Sequence, residues 1–212
     1  VGVLRRMYEL GVRMMTLTWN HDNELAAPQA NPSGPLAAQT QRGLTETGFA
    51  FLAEMERLHM IVDVSHLSDR GFWDIVEHGT RPFAASHSNC RALCHHTRNL
   101  TDAMIRALAE KGGIAGLNYY AAFLDTDPAH PEACRSTVER IAEHAAHYKQ
   151  VGGIGVLALG SDFDGIEPKL ELKDASDMGR LAEALKKGGF REREIDKIFW
   201  WNGVRYLEDV LR

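Results

Sequence analysis

The chain has 212 residues, of which 44% are hydrophobic and 25% charged, and its formal net charge is −5. These values are ordinary for a globular protein, and both signs of charge are interspersed, which argues against a basic surface for nucleic acid or anionic lipid. No run approaches the roughly 18 consecutive apolar residues of a membrane helix. We therefore predict neither a nucleic-acid partner nor a membrane segment.

Three cysteines, Cys90, Cys94 and Cys134, cannot all pair with one another, and their spacing matches no zinc knuckle. They indicate thiols in a reducing compartment, so the predicted location is the cytoplasm. The chain opens on VGVLRRMYELG, inside a helical pattern and without a Met. This opening leads us to expect coding sequence upstream of residue 1.

Helix and strand patterns alternate along the chain, with Ser or Thr at several helix starts and Gly at helix ends. In chain order they predict helix 2–10, strand 12–18, a polar loop at 19–42, helix 45–58, strand 60–65, helix 69–78, strand 82–86, helix 102–111, strand 114–120, helix 134–150, strand 155–161 and helices 175–187 and 191–211. The loop 19–42 is too polar and proline-containing to be core, and it is long enough to be functional.

The repeated strand–helix order predicts a parallel α/β sheet whose apolar strands are covered on both faces. A doubly wound sheet and a β/α barrel both fit this order. Polar residues favour the barrel, since its active sites form where several strands end. The residues at these predicted strand ends are His66, His87, Asn118 and Asp162. Only five strands are predicted, whereas a barrel has eight, so about three would be missing from this chain.

Two of the predicted strands end in the same pair of residues. IVDVSH (61–66) and PFAASHSN (82–89) each place a Ser-His pair at the end of an apolar run. Imidazoles at one depth on neighbouring parallel strands would lie about 5 Å apart. Because zinc accepts imidazole ligands, His66 and His87 could bind one metal ion. Two capping or core histidines held by their serines are the alternative, which the sequence leaves open.

A third strand end, VLALGSDFDG (156–165), has aspartates instead of histidines. Alternation along the strand would send Asp162 and Asp164 to the same side, where a carboxylate beside a metal can take a proton from bound water. An Asp-Gly turn or a helix cap is the alternative. Arg98, in HHTRNLT, could hold a substrate carboxylate through two parallel hydrogen bonds, or it could simply be solvated. His21 could approach the same edge, and His95 and His96 are interpreted as loop residues.

These segments together resemble the membrane (renal) dipeptidase family of zinc metallopeptidases over essentially all 212 residues. The resemblance depends on the order and spacing of LGVRMMTLTWNHDN, GLTETGFAFLAEMERLHMIVDVSHLSD, PFAASHSNCRALCHHTRNLTD, GSDFDG and WWNGVRYLEDVL. It implies a (β/α)8 TIM-type barrel of the metal-dependent hydrolase type, with two zinc ions bridged by a glutamate. The expected domain is a single catalytic barrel over 1–212 that lacks its first strands.

The resemblance also implies roles for individual residues. His66 and His87 would ligate one zinc, Asp162 would be the catalytic acid/base, and Arg98 would bind the substrate's C-terminal carboxylate. The family's His-x-Asp pair and bridging Glu fall before this chain's first helix, so at most one zinc is expected here. The family often has a substrate-contacting His where this chain has Trp19. The predicted substrate contacts are therefore Arg98 together with Trp19, His21 and Asn118.

The predicted function is hydrolysis of dipeptides, including those with a C-terminal D-residue, through a metal-bound hydroxide. The isolated chain is expected to be inactive if it lacks the ligands of the first zinc. Two alternatives are another barrel metal hydrolase acting on a small amide or ester, and a non-catalytic metal-binding relative. Apart from the dipeptide, a homodimer is the one partner that the sequence leaves open.

Overall fold

Five short parallel strands form one sheet in the part of the chain that the computed structural model describes, residues 1–29, 42–125, 134–166 and 170–212. Each strand pairs with the next one along the chain, in the order β1-β2-β3-β4-β5. The strands are β1 (Met14–Thr16), β2 (Ile61–Asp63), β3 (Ala84–Ala85), β4 (Ile114–Leu117) and β5 (Leu157–Leu159). The predicted parallel α/β sheet is confirmed, and all five strand ends point to one edge.

Helices connect and cover these strands. They are α1 (Gly2–Glu9), α2 (Glu46–Arg57), α3 (Asp69–His78), α4 (Asp102–Glu110), α5 (Ala121–Leu124), α6 (Val138–Gly152), α7 (Met178–Lys187), α8 (Glu192–Asp196) and α9 (Asn202–Val210). The predicted caps are present, since Thr45, Ser68 and Thr101 each accept a backbone N–H of the first helical turn. None of the described helices has both the length and the apolar character needed to cross a membrane.

Both faces of the sheet are buried at its three central strands, as the apolar runs predicted, while the edge strands β1 and β5 are only partly buried. On one face, Ile61, Ala84 and Ile114 pack with Tyr206 and Val210 of α9. The residues that alternate with them belong to the main core, which also contains buried residues of α2, α3, α4 and α6. The sheet is therefore fixed from both sides, which holds its strand ends in place.

Several predicted element bounds were wrong. Strand 155–161 begins as a 3-10 turn (Ile154–Val156), and helix 134–150 begins at Val138 because the Thr137 side chain caps it through Arg140 N. The short helix α5 was not predicted. The predicted helix 191–211 is divided into α8, a π-helical segment (Lys197–Trp201) and α9. Such a π-segment accommodates one extra residue in a helix.

The segment 19–42 was predicted to lie outside the core, and this is wrong for part of it. Ala26 and Ala27 are both buried. Isolated bridges pair Ala26 with Leu44 and Pro28 with Leu67, so the backbone of this segment is held against α2 and the start of α3. Small apolar residues among polar ones allow this packing. The remainder of the predicted loop, at 30–41, lies outside the described residues.

Candidate active site

Four predicted site residues lie just beyond successive strands. His66 follows β2, His87 follows β3, Asn118 follows β4 and Asp162 follows β5. The predicted common edge is confirmed, since parallel neighbouring strands end together. One cavity of about 420 Å³ is lined by three of these residues, His66, His87 and Asp162.

The imidazoles of His66 and His87 face each other across β2 and β3. Their ring centroids are 5.0 Å apart and their Nε2 atoms 3.0 Å apart. Each Nδ1 atom lies within hydrogen-bond distance of an oxygen. The distance is 3.0 Å from His66 Nδ1 to Asn20 Oδ1 and 2.7 Å from His87 Nδ1 to Ser86 Oγ. These oxygens favour a proton on each Nδ1, which leaves a lone pair on each Nε2.

Asp63, at the end of β2, organises the surroundings of His87. Its carboxylate accepts the hydroxyls of Thr16 at 2.6 Å and Ser86 at 2.7 Å. It also accepts the backbone N–H groups of Ser65 and Ser86. Because the Ser86 hydroxyl donates to Asp63, its oxygen can accept from His87 Nδ1. A buried carboxylate thus fixes the orientation of His87 through one hydroxyl.

Burial and neighbouring charge keep both imidazoles neutral. Burial lowers the pKa of His66 to about 3, and the positive charge of Arg98 and the neighbouring His87 add to this effect. The pKa of His87 is also lowered, by burial and by Arg98, against the opposing carboxylates of Asp63 and Asp162. Neutral imidazoles are the protonation state that binds a metal ion.

Asp162 is presented to the pocket by a turn rather than by a strand. Strand β5 ends at Leu159, and Asp162 has a φ of 63°. The predicted strand alternation of Asp162 and Asp164 is therefore wrong, since residues 163–165 form a turn and Asp164 is exposed. The Asp162 carbonyl accepts Gly165 N at 3.0 Å, which closes this turn.

Asn118 is buried and directed at Asp162. Its Nδ2 donates to Asp162 Oδ2 at 3.1 Å, and its Oδ1 accepts Tyr120 N at 2.6 Å. The backbone N–H of Asn118 donates to the buried Asn89 side chain. Because both Nδ2 and Oδ1 of Asn118 are hydrogen-bonded, this side chain is held in place and orients the Asp162 carboxylate at the pocket edge.

Arg98 lies beside the two histidines and is buried, with 8% of its surface exposed. Its Nη2 donates to His87 Nε2 at 3.1 Å, and its guanidinium lies 5.3 Å from the centroid of the Phe123 ring. Burial lowers the pKa of Arg98 to about 10, although the carboxylates of Asp63 and Asp162 raise it. Within the described residues, no carboxylate lies at ion-pairing distance from Arg98.

The β1 side of the pocket is more exposed. Trp19 lines it, with 65% of the residue exposed and its ring centroid 6.4 Å from that of His66. His21 is exposed and packs edge-on against Trp19 at 6.2 Å, without lining the pocket. His96, interpreted as a loop residue, stacks near Phe123 and accepts Arg98 N through its Nδ1.

Sequence reasoning missed the residues that hold the predicted ones in place. These residues are Asn20, Asp63 and Asn89. Asn20 bonds to His66 Nδ1, and Asn89 accepts the backbone N–H of Asn118. Asp63 accepts the Ser86 hydroxyl that bonds to His87 Nδ1. The available indication was Asp63 itself, a carboxylate inside the apolar run IVDVSH. A charged residue is rarely fully buried unless it is paired or hydrogen-bonded.

The histidine pair fits two ligands of a zinc ion. Zinc–nitrogen bonds of about 2.0–2.1 Å place two imidazole nitrogens roughly 3.3 Å apart in a tetrahedral site, close to the 3.0 Å found here. Two facing lone pairs are otherwise unfavourable at that separation. The described ranges contain no group of three or more His, Cys, Asp or Glu residues that could hold a metal.

Comparisons with known proteins show which family the chain resembles. The sequence pattern described as "Membrane dipeptidase (Peptidase family M19)" matches residues 1–212. A Klebsiella pneumoniae protein named as an uncharacterized protein in the pqqA 5′ region is 37% identical over 98% of this chain and 75% of its own length. The dipeptidase tcpJ of Claviceps purpurea is 32% identical over 99% of this chain and 47% of its own length.

A solved structure shows the same fold. It is a metallo peptidase from Rhodobacter sphaeroides, liganded with a phosphinate mimic of the dipeptide L-Ala-D-Ala. The TM-score is 0.86 at 28% identity, over 98% of this chain and 58% of that one. The predicted fold class, a TIM-type barrel of the metallo-hydrolase type, is confirmed. The chain spans about half to three quarters of these relatives.

Proposed function

The chain belongs to the membrane dipeptidase family. We propose that it supplies catalytic residues of a metal-dependent dipeptidase, at the carboxyl ends of its parallel strands. The observation that supports this function best is the convergence of His66 Nε2 and His87 Nε2 at 3.0 Å, beside Asp162 in one pocket. Two neutral imidazoles and a carboxylate at the ends of parallel strands are a suitable set for metal-assisted hydrolysis.

His66 and His87 would hold a zinc ion through their Nε2 atoms. Zinc, when bound, lowers the pKa of a coordinated water and polarises a carbonyl. The protein's own contribution is orientation, because Asn20 and Ser86 hold the two Nδ1 atoms and Asp63 holds Ser86. The proposal includes both the identity of the metal, zinc, and the number of ions, one, that these two imidazoles would hold.

Asp162 is proposed to accept the proton of the attacking water and to deliver it to the leaving amine. Its Oδ2 is held by Asn118, while the carboxylate still lines the pocket. General acid–base catalysis by one positioned group typically contributes about 10²–10⁴-fold. Asn118, predicted as a substrate contact, is better placed to orient Asp162.

Arg98 is proposed to bind the free carboxylate of the dipeptide. A buried guanidinium that has no carboxylate partner among the described residues gains most from an incoming one. A zinc ion on His87 Nε2 would replace the hydrogen bond that Arg98 donates to that atom, which leaves the guanidinium available to the substrate. Trp19 is proposed to contact the substrate from the exposed side of the pocket, and His21 would act through the position of Trp19.

Hydrolysis assays on the zinc-supplemented chain test this function. An active chain should cleave L-Ala-D-Ala faster than a small ester or lactone, and it should lose this activity in His66→Ala and after treatment with a chelator. An inactive chain would instead agree with the expectation for a chain without the ligands of the first zinc. Faster cleavage of the ester or lactone would instead favour another barrel hydrolase. Activity that persists in His66→Ala would contradict the proposed site.

One observation favours a second candidate, a non-catalytic metal-binding relative. Among the described residues, the pocket lacks a third ligand to complete the histidine pair. In that case the chain would bind zinc without hydrolysing dipeptides. Measuring zinc binding and hydrolysis on the same sample separates the two candidates.

Three further predictions stay untested. A single catalytic domain over 1–212 would unfold in one cooperative transition. A homodimer would show twice the chain mass in light scattering. A cytoplasmic location agrees with Cys90, which is a buried thiol, and fractionation of cells that produce the protein would test it.

A further inference from the structure

Arg98 lies between two peptide carbonyls that one other arginine holds. Arg91 Nη2 donates to Thr97 O at 2.8 Å, and Arg91 Nε donates to Asn99 O at 2.8 Å. The carbonyl groups of the two residues that flank Arg98 are therefore bonded to a single planar guanidinium. A planar fork of this kind fixes the geometry of its acceptors in a way that a flexible ammonium does not.

Asp69 holds Arg91 through two parallel hydrogen bonds. Arg91 Nη1 lies 2.7 Å from Asp69 Oδ2, and Arg91 Nη2 lies 2.8 Å from Asp69 Oδ1. Asp69 is the first residue of α3, shortly after His66 in the chain. The bidentate pair thus connects the segment that contains His66 to the loop that contains Arg98.

Gln29 completes this arrangement from the segment after β1. Its Nε2 donates to Asp69 Oδ1 at 2.8 Å and to Thr97 O at 2.7 Å. Together, Gln29, Asp69 and Arg91 form what we call the Asp69–Arg91 clamp. The cavity they share with their neighbours is only about 10 Å³, room for about one water, so the clamp is closely packed.

The loop has other supports that do not involve the clamp. Asn99 Nδ2 donates to Cys94 O and to Phe123 O, both at 2.9 Å, and Leu100 N donates to Asn89 O. These bonds keep the loop attached to the fold when the clamp is weakened. Loss of the clamp should therefore displace Arg98 rather than unfold the loop.

We propose that the Asp69–Arg91 clamp fixes Arg98 at the separation from the His66–His87 pair that the free carboxylate of a dipeptide requires. This inference rests on the proposed dipeptidase function. Asp69 and Arg91 are positioning residues, because they act through the backbone on either side of Arg98. The clamp would consequently determine the preference for substrates that end one residue beyond the scissile bond.

The test compares L-Ala-D-Ala with its C-terminal amide, which cannot form an ion pair with Arg98, on the zinc-supplemented chain. Arg91→Lys keeps the charge but loses the fork, and Asp69→Asn keeps the shape but loses the charge. Arg57→Lys is the matched control, since Arg57 makes a similar two-bond pair with Glu54 far from the pocket. Calorimetric binding of a phosphinate mimic of L-Ala-D-Ala, with and without its carboxylate, gives a readout that does not depend on turnover.

In Arg91→Lys we expect kcat/KM for the acid to fall about 10- to 100-fold, mainly through KM, because a misplacement of about 1 Å costs on this order. The value for the amide should change less than twofold, and the mimic should lose affinity only in its carboxylate form. Asp69→Asn should show the same pattern, and it tests the inference if Arg91→Lys does not fold. Arg57→Lys should behave like the wild type.

The inference alone would be overturned if the folded variants kept the wild-type ratio of kcat/KM for the acid to kcat/KM for the amide, which includes an equal loss on both substrates. A wild-type chain that neither cleaves the two substrates nor binds the phosphinate mimic would overturn the proposed function and the inference with it. These two failures are distinguishable, since the first requires a wild-type protein that binds the mimic or cleaves the dipeptide.

Discussion

The pocket has two unlike halves. On the β2–β3 side, Asp63 is buried and accepts four hydrogen bonds, and the two histidines are half-buried. On the β1 side, Asn20, His21 and Trp19 are exposed, and the Trp19 ring lies against the rings of His21 and His66. The first half has one defined geometry, as a metal site needs, while the second can adapt to a substrate.

The difference follows from how each half is built. Side chains that directly follow paired strands inherit their positions from the sheet, and buried polar groups among them must be satisfied. Residues farther along a connecting segment depend on local contacts, which are few for Trp19. Substitutions in the buried half should therefore change metal binding or chemistry, and those in the exposed half should change substrate affinity.

The largest effect is expected from Asp162→Asn. We predict a loss of kcat of about 10²–10⁴-fold on L-Ala-D-Ala, because the proton acceptor is removed. Zinc content should not change, since both imidazoles stay in place. Asp164→Asn is the control in the same turn, with less than a twofold change expected because that side chain is exposed. Equal losses in both variants would refute the role of Asp162.

Asp63→Asn should weaken zinc binding about 10- to 100-fold, as loss of an outer partner of a metal-ligating histidine typically does. The amide NH2 group of this variant would face the hydroxyls of Thr16 and Ser86, which donate to the carboxylate in the wild type. The Ser86 hydroxyl would have to turn away, so its contact with His87 Nδ1 would be lost. Competition with a chelator measures the dissociation constant. Asp22→Asn, which affects an exposed pair with Arg42, is the control. Unaltered affinity would mean that Asp63 only supports the fold.

Asn20→Ala should have a smaller effect on the same dissociation constant, about 2- to 10-fold, because it removes one hydrogen bond to His66 from an exposed partner. The same chelator competition provides the comparison with Asp63→Asn. An effect as large as that of Asp63→Asn would contradict the distinction between the two halves.

The smallest effect is expected from Trp19→Ala. Its free energy of unfolding should change by less than about 0.5 kcal/mol, since most of the side chain is exposed. KM for L-Ala-D-Ala should rise about 2- to 10-fold if the ring packs on the substrate. Chemical denaturation and steady-state kinetics measure the two quantities. A marked loss of stability would show that Trp19 belongs to the fold instead.

The sequence predicted what strand periodicity determines and missed what depends on side-chain partners. His66 and His87 end apolar runs, so their common edge and the 5.0 Å between their rings could be anticipated. The positive φ of Asp162 could not, because strand alternation gives no sign of where a strand stops. The clamp was equally hidden, since Gln29, Asp69 and Arg91 come from three separate segments.

Metal content per chain tests the histidine pair most directly. Elemental analysis would compare the wild-type protein with the double variant His66→Ala, His87→Ala, after the same zinc supplementation and dialysis. We predict that the wild type retains zinc and that the double variant loses the ion held by these imidazoles. Zinc content that is unchanged in the folded double variant would contradict a metal site at His66 and His87.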